Sequence, residues 1–477
     1  MPKNWTGHGV DLHLEISAGS GRRRGLEEAL RRAIRDGRLP RGARLPSSRA
    51  LAAELGLARG TVIAAYDQLA EEGYLTTRPG AATEVAATPV PRPPGRAAAP
   101  ALGPADADGG SVHDLRPGRP DVSAFPVRAW LRATRHVFTT APADVLGPCD
   151  PRGRMELRAA LAGYLGRTRG VRTTPDLIVV TTGFAQALNL LAAVLPGGPI
   201  AMEDPGHDFY REVVRRSGRS IAPLPVDALG ARPETLPPGT AAAVVTPAHQ
   251  YPTGVPLHPH RRRAFCEWAG RHGRPVVEDD YDGEFRYDRQ PVGALQGAAP
   301  DHVVYVGTTS ESLAPALRLA WMAVPPALIG RVTEAKLYAD AHTEVIGQLT
   351  LARMIETHDY ERHIRAARLR YRRRRELLVA RLTGSGGPLP GLTAPGVAAG
   401  LRALLLLPEY GPAEADVLAA CRRRGVALRG AAPLWHDPPP SAGLLAGYAA
   451  PSERAYPSAL DALADALADC AGRVDLG

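Results

Sequence analysis

The chain has 477 residues, 44% apolar and 22% charged, the balance of a globular protein, and its length predicts two to four domains. No apolar run reaches the roughly 18 residues of a membrane span, and the start Met1-Pro2-Lys3-Asn4-Trp5 is unlike a signal peptide. The net charge of +9 permits a polyanionic partner, while Cys149, Cys266, Cys421 and Cys470 have neither metal nor disulfide spacing, so a reducing cytoplasm and no metal site are expected. Two of the 58 basic residues are lysines, Lys3 and Lys336, and the rest are arginine, as a GC-rich coding bias would produce.

In chain order, the first predicted element is a helix along RGLEEALRRAIRDG, where Leu26, Leu30, Ala33 and Ile34 recur at helical spacing and Gly37 ends the run. A second helix starts after Pro46 with Ser47 as its cap and carries Leu51, Ala52 and Leu55. Gly56 turns the chain into a third helix with Val62, Ala65, Tyr66 and Leu69 on its buried face. Gly73-Tyr74-Leu75 then opens a hairpin turning near Pro79-Gly80, which completes the order of a winged helix-turn-helix. Residues 87–112, rich in Pro and Ala without a periodic apolar face, predict an extended linker between an N-terminal domain, 1–86, and a larger one, 113–477.

In the larger unit, apolar runs at 177–181, 199–203, 241–246, 275–279, 303–307 and 317–324 each predict a buried parallel strand. Helical patterns lie between several of them, as at 185–195 and 260–270, so the fold class is α/β. An arginine-rich helix over about 359–383 leads into a smaller subdomain, about 360–477.

The segment LPSSRALAAELGLARGTVIAAYDQLAEEGYL, residues 45–75, closely resembles the GntR-type winged helix-turn-helix. The resemblance implies a double-stranded DNA operator as partner, with the start of the third helix facing base edges in the major groove. Arg59 and Thr61 stand there, followed by Ile63. Arg49 is placed for a phosphate or base contact, Arg44 and Ser48 for positioning on the backbone, and Arg78 on the wing for the minor groove or a phosphate. Arg22, Arg23, Arg24, Arg31, Arg32 and Arg35 read as a solvated helix face. Ala58 departs from the family, which usually has Ser or Thr there, so a helix cap is expected to be missing.

From about Asp114 onward the motifs DLRPGRPDVSAFP, RGRMELRAALAGYLGRTRGV, TTGFAQALNLL, EDPG, TPAHQYPTG, VVEDDYDGEF, GTTSESLAPALRLAW and ERHIRAARLRYRRRRELL follow in order. They resemble fold-type I, pyridoxal-phosphate-dependent aminotransferases of class I/II, and with the GntR-type head the whole is similar to the MocR (GabR-like) regulators. That implies a large α/β subdomain, a small C-terminal one and a homodimer. It also implies a cofactor pocket in which Asp279 faces the pyridine nitrogen and Tyr281 the ring hydroxyl. Gly183, Phe184 and Ala185 at a helix start, with Arg318, Thr308 and Ser310, would face the phosphate, and His207 would stack on the ring.

One requirement fails. Where the family has the Schiff-base lysine, the segment Gly307-Thr308-Thr309-Ser310-Glu311-Ser312 carries Glu311, and a carboxylate cannot form an imine. Lys3 lies in the N-terminal tail and Lys336 in an expected surface helix, so neither is a substitute. Further departures are Pro148 for a tyrosine of the phosphate site, Phe184 for a serine, and 444–449 without the arginine that binds substrate carboxylate, leaving Arg429 as an alternative.

The expected function is therefore a DNA-binding transcriptional regulator. Its degenerate aminotransferase-like domain senses an effector, holds the dimer, or both, with no catalytic residue and no covalent cofactor. Three versions stay open: noncovalent pyridoxal phosphate, another small anionic or amine metabolite, or an inert scaffold. The alternative is a pyridoxal-phosphate enzyme carrying a DNA-binding head.

Overall fold

The structure, a computed structural model, describes residues 21–77, 82–86, 113–287, 292–384 and 386–474. The chain divides into two compact units, Met1–Ala107 and Asp108–Gly477.

In the first unit, α1 (Arg22–Arg35), α2 (Ser48–Leu55) and α3 (Arg59–Glu71) precede a two-stranded antiparallel wing, β1 (Leu75–Thr76) and β2 (Glu84–Val85). Leu26, Leu30, Leu51, Val62, Ala65, Tyr66 and Leu69 form one core, as their helical spacing predicts. The Ser47 hydroxyl accepts the Ala50 N–H at 3.2 Å, and α2 ends on Gly56 in the left-handed region at φ 61°. The buried Tyr66 hydroxyl donates to the Pro46 carbonyl at 2.9 Å, which ties α3 to the start of α2.

The second unit runs β3 (His113–Asp114), α4 (Val127–Thr140), α5 (Met155–Arg169), β4 (Ile178–Thr181), α6 (Phe184–Val194), β5 (Ile200–Asp204), α7 (Asp208–Arg216), β6 (Ile221–Asp227) and β7 (Gly230–Ala231). It continues through β8 (Ala242–Val245), α8 (Pro259–His272), β9 (Val276–Asp279), β10 (Val303–Thr308), β11 (Ala320–Ala323), α9 (Pro326–Asp340), α10 (Val345–Glu356) and the long α11 (Asp359–Leu382). Strands β12 (Arg402–Leu406), β14 (Arg429–Gly430) and β15 (Gly443–Gly447) make a smaller sheet, accompanied by α12 (Glu414–Arg423) and α13 (Tyr456–Val474), while β13 (Val426–Ala427) pairs with β3.

The large sheet has the order β4-β11-β10-β9-β8-β5-β6-β7. Five of the six predicted strands share one direction, but β11 runs antiparallel to both β10 and β4. The apolar run registered burial, which says nothing about direction. Between β10 and β11 the chain has only the short 3-10 turn Pro315–Leu317 and no crossover helix to return it for a parallel strand. Strand β6 escaped notice because Pro223 and Pro225 interrupt its apolar pattern.

Lys336 corrects a second expectation. It lies on α9, as expected, but is fully buried, and its ammonium pairs with Asp340 one turn on. Asp340 also accepts from Gln186 of α6 at 2.7 Å, so this lysine serves the packing of α9 on α6.

Among the described residues no helix is long and apolar enough to cross a membrane.

Candidate functional site

In the first unit, Arg49 and Arg59 are exposed, near the starts of α2 and α3, and neither has an ion-pair partner among the described residues. Ser48 and Thr61 are half-buried beside them, and Ile63 is 40% exposed on α3. The exposed Arg44 guanidinium pairs with Glu84 of the wing at 3.0 Å. Arg78 lies outside the described residues. Of the six arginines read as a solvated face, Arg31 bonds Glu72 at the end of α3 at 2.8 Å, Arg35 donates to the Tyr74 hydroxyl at 2.6 Å, and Arg23 pairs with Glu27 at 2.7 Å. The first two brace α1 against the end of α3 and the start of the wing, and the third lies within α1. Ala58 is the residue before α3 and supplies no side-chain cap.

In the second unit, one cavity of about 340 Å³ lies beyond the carboxyl ends of the parallel strands, the place where open α/β sheets bind ligands. Each strand ends in a loop that feeds it. After β4, Gly183 opens α6, with Phe184 and Ala185 lining the wall. After β5 comes His207, after β9 Tyr281, and after β10 Ser310, Glu311 and Arg318; the strand ends Asp279 and Thr308 line it too. The residues expected at a cofactor pocket are thus brought together in one place, and among the described residues no lysine lines it.

Gly183 and Arg318 are locked together. Gly183 has φ 146°, and a Cβ there would sit 2.7 Å from an Arg318 guanidinium nitrogen. Arg318 itself holds φ 52°, a conformation non-glycine residues adopt at a cost. Thr308 donates to the Ser310 hydroxyl at 3.0 Å. Phe184, which stands in place of the family's serine, is buried in the apolar core edge-on to Tyr210, ring centres 4.6 Å apart, and still lines the cavity. His207 stacks on Tyr251 at 4.8 Å with 20° between planes, and burial pushes its pKa down.

Tyr281 donates to the His249 carbonyl at 2.8 Å. Its neighbours in the acidic loop are held rigidly: Asp280 takes a two-pronged bond from buried Arg169 at 2.7 and 2.8 Å, and Asp282 bonds His249 Nδ1 at 2.7 Å. Asp279 is 7% exposed and makes no side-chain hydrogen bond among the described residues. Burial, then Asp280, Asp282 and Glu203, raise its pKa well above the carboxylate range. Glu311 is 8% exposed, and its Oε2 has no partner. Burial and, less, Asp282 push it up to about 7 against the pull of Arg402.

Arg402 is the residue that motif reading missed. It starts β12, is buried, and its guanidinium lies 4.2 Å from the Tyr251 ring centre and 4.6 Å from that of Tyr281, with one terminal nitrogen unpartnered. Burial opposes its charge, but Tyr281, Tyr251, Asp282 and Glu311 raise its pKa on balance. It stands opposite Gly447 of β15, the strand where the resemblance expects an arginine. The only local signal was a charge opening an otherwise apolar strand, LRALLLL. Arg429, the alternative, lines the cavity with its guanidinium bonded to Asp208 at 2.5 Å.

A winged helix followed by an aminotransferase-like unit that keeps its cavity defines a class: transcriptional regulators built on an aminotransferase scaffold. Residues 22–85 match the family described as bacterial regulatory proteins, gntR family, and residues 114–434 match aminotransferase class I and II. The HTH-type transcriptional regulator YhdI of Bacillus subtilis is 32% identical over 88% of this chain and 90% of its own length. The pyridoxine biosynthesis transcriptional regulator PdxR of Corynebacterium glutamicum is 30% identical over 95% of this chain and 96% of its own. Among solved structures, a kynurenine aminotransferase of Pyrococcus horikoshii superposes with a TM-score of 0.67 at 24% identity, over 75% of this chain and 90% of that one, a likeness of fold. The chain belongs to the MocR-type regulators of the GntR family.

Proposed function

We propose that this protein binds a duplex operator through Arg49, Arg59 and Thr61, and that its aminotransferase-like unit is a ligand sensor and dimerisation element that forms no covalent cofactor bond. The observation that carries the reading is Glu311, a buried carboxyl facing an open cavity that no lysine lines among the described residues. Pyridoxal phosphate, held through a lysine, supplies an electron sink to amino-acid chemistry. Here the fit is partial: the Gly183–Arg318 corner and the unpartnered Asp279 suit a phosphate and a protonated ring nitrogen, and Glu311 does not suit the aldehyde.

A second copy of the chain would cover the exposed face of α4. Val127, Leu131 and Phe138 lie 55%, 59% and 60% exposed there, at helical spacing. Pairing two winged units in this way suits an operator of two half-sites.

The test is selection of an operator from random duplexes, followed by binding of the Arg59→Ala variant. Selection of a defined sequence, with loss of affinity in the variant and unchanged circular dichroism, supports the reading; undiminished binding refutes the assigned recognition helix. A borohydride-reducible chromophore with pyridoxal phosphate would favour an enzyme instead.

A further inference from the structure

Two acids and two arginines meet in the cavity without satisfying one another. The Glu311 Oε2 is inaccessible and unpartnered, and Asp279 is buried without a side-chain hydrogen bond among the described residues. One Arg402 terminal nitrogen is equally unpartnered. Arg318 lies against Gly183 at the start of α6, where the helix end adds its own N–H groups. A buried polar atom without a partner costs free energy, and Glu311, Asp279 and Arg402, which lack such partners, all line the same cavity.

Carboxylates accept hydrogen bonds, and a primary ammonium offers three donors and the opposite charge. An aldehyde offers no donor, and a hydroxymethyl group offers one without charge. From this geometry we infer that Glu311 makes the cavity selective for a ligand bearing a primary ammonium and a phosphate, taking pyridoxamine 5′-phosphate in preference to its aldehyde counterpart. Glu311 accepts from the ammonium, Asp279 from the protonated ring nitrogen, and Arg318 with the α6 N-terminus holds the phosphate. Arg402 remains over the tyrosines as counter-charge to both acids. Burial raises the Glu311 carboxyl to about 7, and an ammonium beside it would draw it down again. The inference rests on the proposed reading that the cavity is a ligand site.

The experiment is calorimetric titration of the full-length protein with pyridoxamine 5′-phosphate, pyridoxal 5′-phosphate and pyridoxine 5′-phosphate separately. The amine is expected to bind about ten times more tightly than either of the others, the size of one charge-assisted hydrogen bond. Glu311→Gln removes that preference, bringing the amine down to the affinity of pyridoxine 5′-phosphate. Glu311→Lys reverses it, the new amine condensing with the aldehyde and releasing water. Equal affinity for amine and aldehyde in the unaltered protein overturns the inference, as does binding of none of the three; this comparison stands whether or not a variant folds. Operator binding, measured separately, distinguishes the two failures: a protein that binds its operator and none of these ligands loses this inference alone.

Discussion

The guanidinium of Arg402 lies between two phenol rings, 4.2 Å from the centre of Tyr251 and 4.6 Å from that of Tyr281, and it is the counter-charge that Glu311 and Asp279 both feel. Arg402→Met removes both ring contacts and that charge. It is expected to destabilise the second unit by about 2 kcal/mol or more, read by urea denaturation. Arg402→Lys recovers only part, since an ammonium lacks the plane that stacks. An unchanged denaturation midpoint for the Met variant would refute the assignment.

Glu311→Gln gives a pH-dependent effect of predictable sign. Burial raises the carboxyl from 4.5 to about 7 in the folded protein, so the native state holds its proton more firmly than the unfolded chain. The group costs nothing below its unfolded pKa, costs progressively more as pH rises to about 7, and imposes the full cost above. The amide is expected to raise Tm at pH 8, by the equivalent of about 1–3 kcal/mol, and to leave it unchanged near pH 4. Equal shifts at both pH values would show that Glu311 does not carry a buried charge.

Gly183→Ala should be costly for two reasons at once, the φ of 146° and the 2.7 Å approach of Arg318. A loss of about 1–3 kcal/mol in stability is expected. If Arg318 moves to make room, phosphate-bearing ligands bind about tenfold more weakly. Calorimetry on the folded variant reads the second effect, and full retention of phosphate binding would exclude this corner as an anion site.

On the wing, Glu84 occupies Arg44 in the free protein. Glu84→Gln frees that arginine for a phosphate, so operator affinity should rise and the slope of log K against log salt steepen by about 0.9. Fluorescence anisotropy across a salt series measures both. An unaltered slope would mean that Arg44 does not reach the DNA.

Ala58→Ser restores a hydroxyl at the uncapped start of α3. The winged unit should gain about 0.5–1 kcal/mol, visible in thermal unfolding followed by circular dichroism. No gain would indicate that the start of α3 is already satisfied.

By itself the sequence determined whatever depends on near neighbours. The spacing of Leu26, Leu30, Val62 and Leu69, the Ser47 cap and the Gly56 turn are local, and they specify the winged helix before any fold is known. The resemblance of the ordered motifs likewise marked Gly183, Asp279, Glu311 and Arg318, which lie beside the ends of β4, β9 and β10 and the start of β11 and line one cavity. Only the tertiary structure decided which side chains meet across the chain. Arg402 reaches the cavity from a different sheet, Arg44 is taken up by Glu84, and Lys336 is buried against Asp340 on α9. The direction of β11 belongs to the same group, since an apolar run reports burial on both faces but not which neighbour its backbone will pair with. Charge pairing and strand pairing depend on distance in space, and composition and spacing along the chain carry no measure of it.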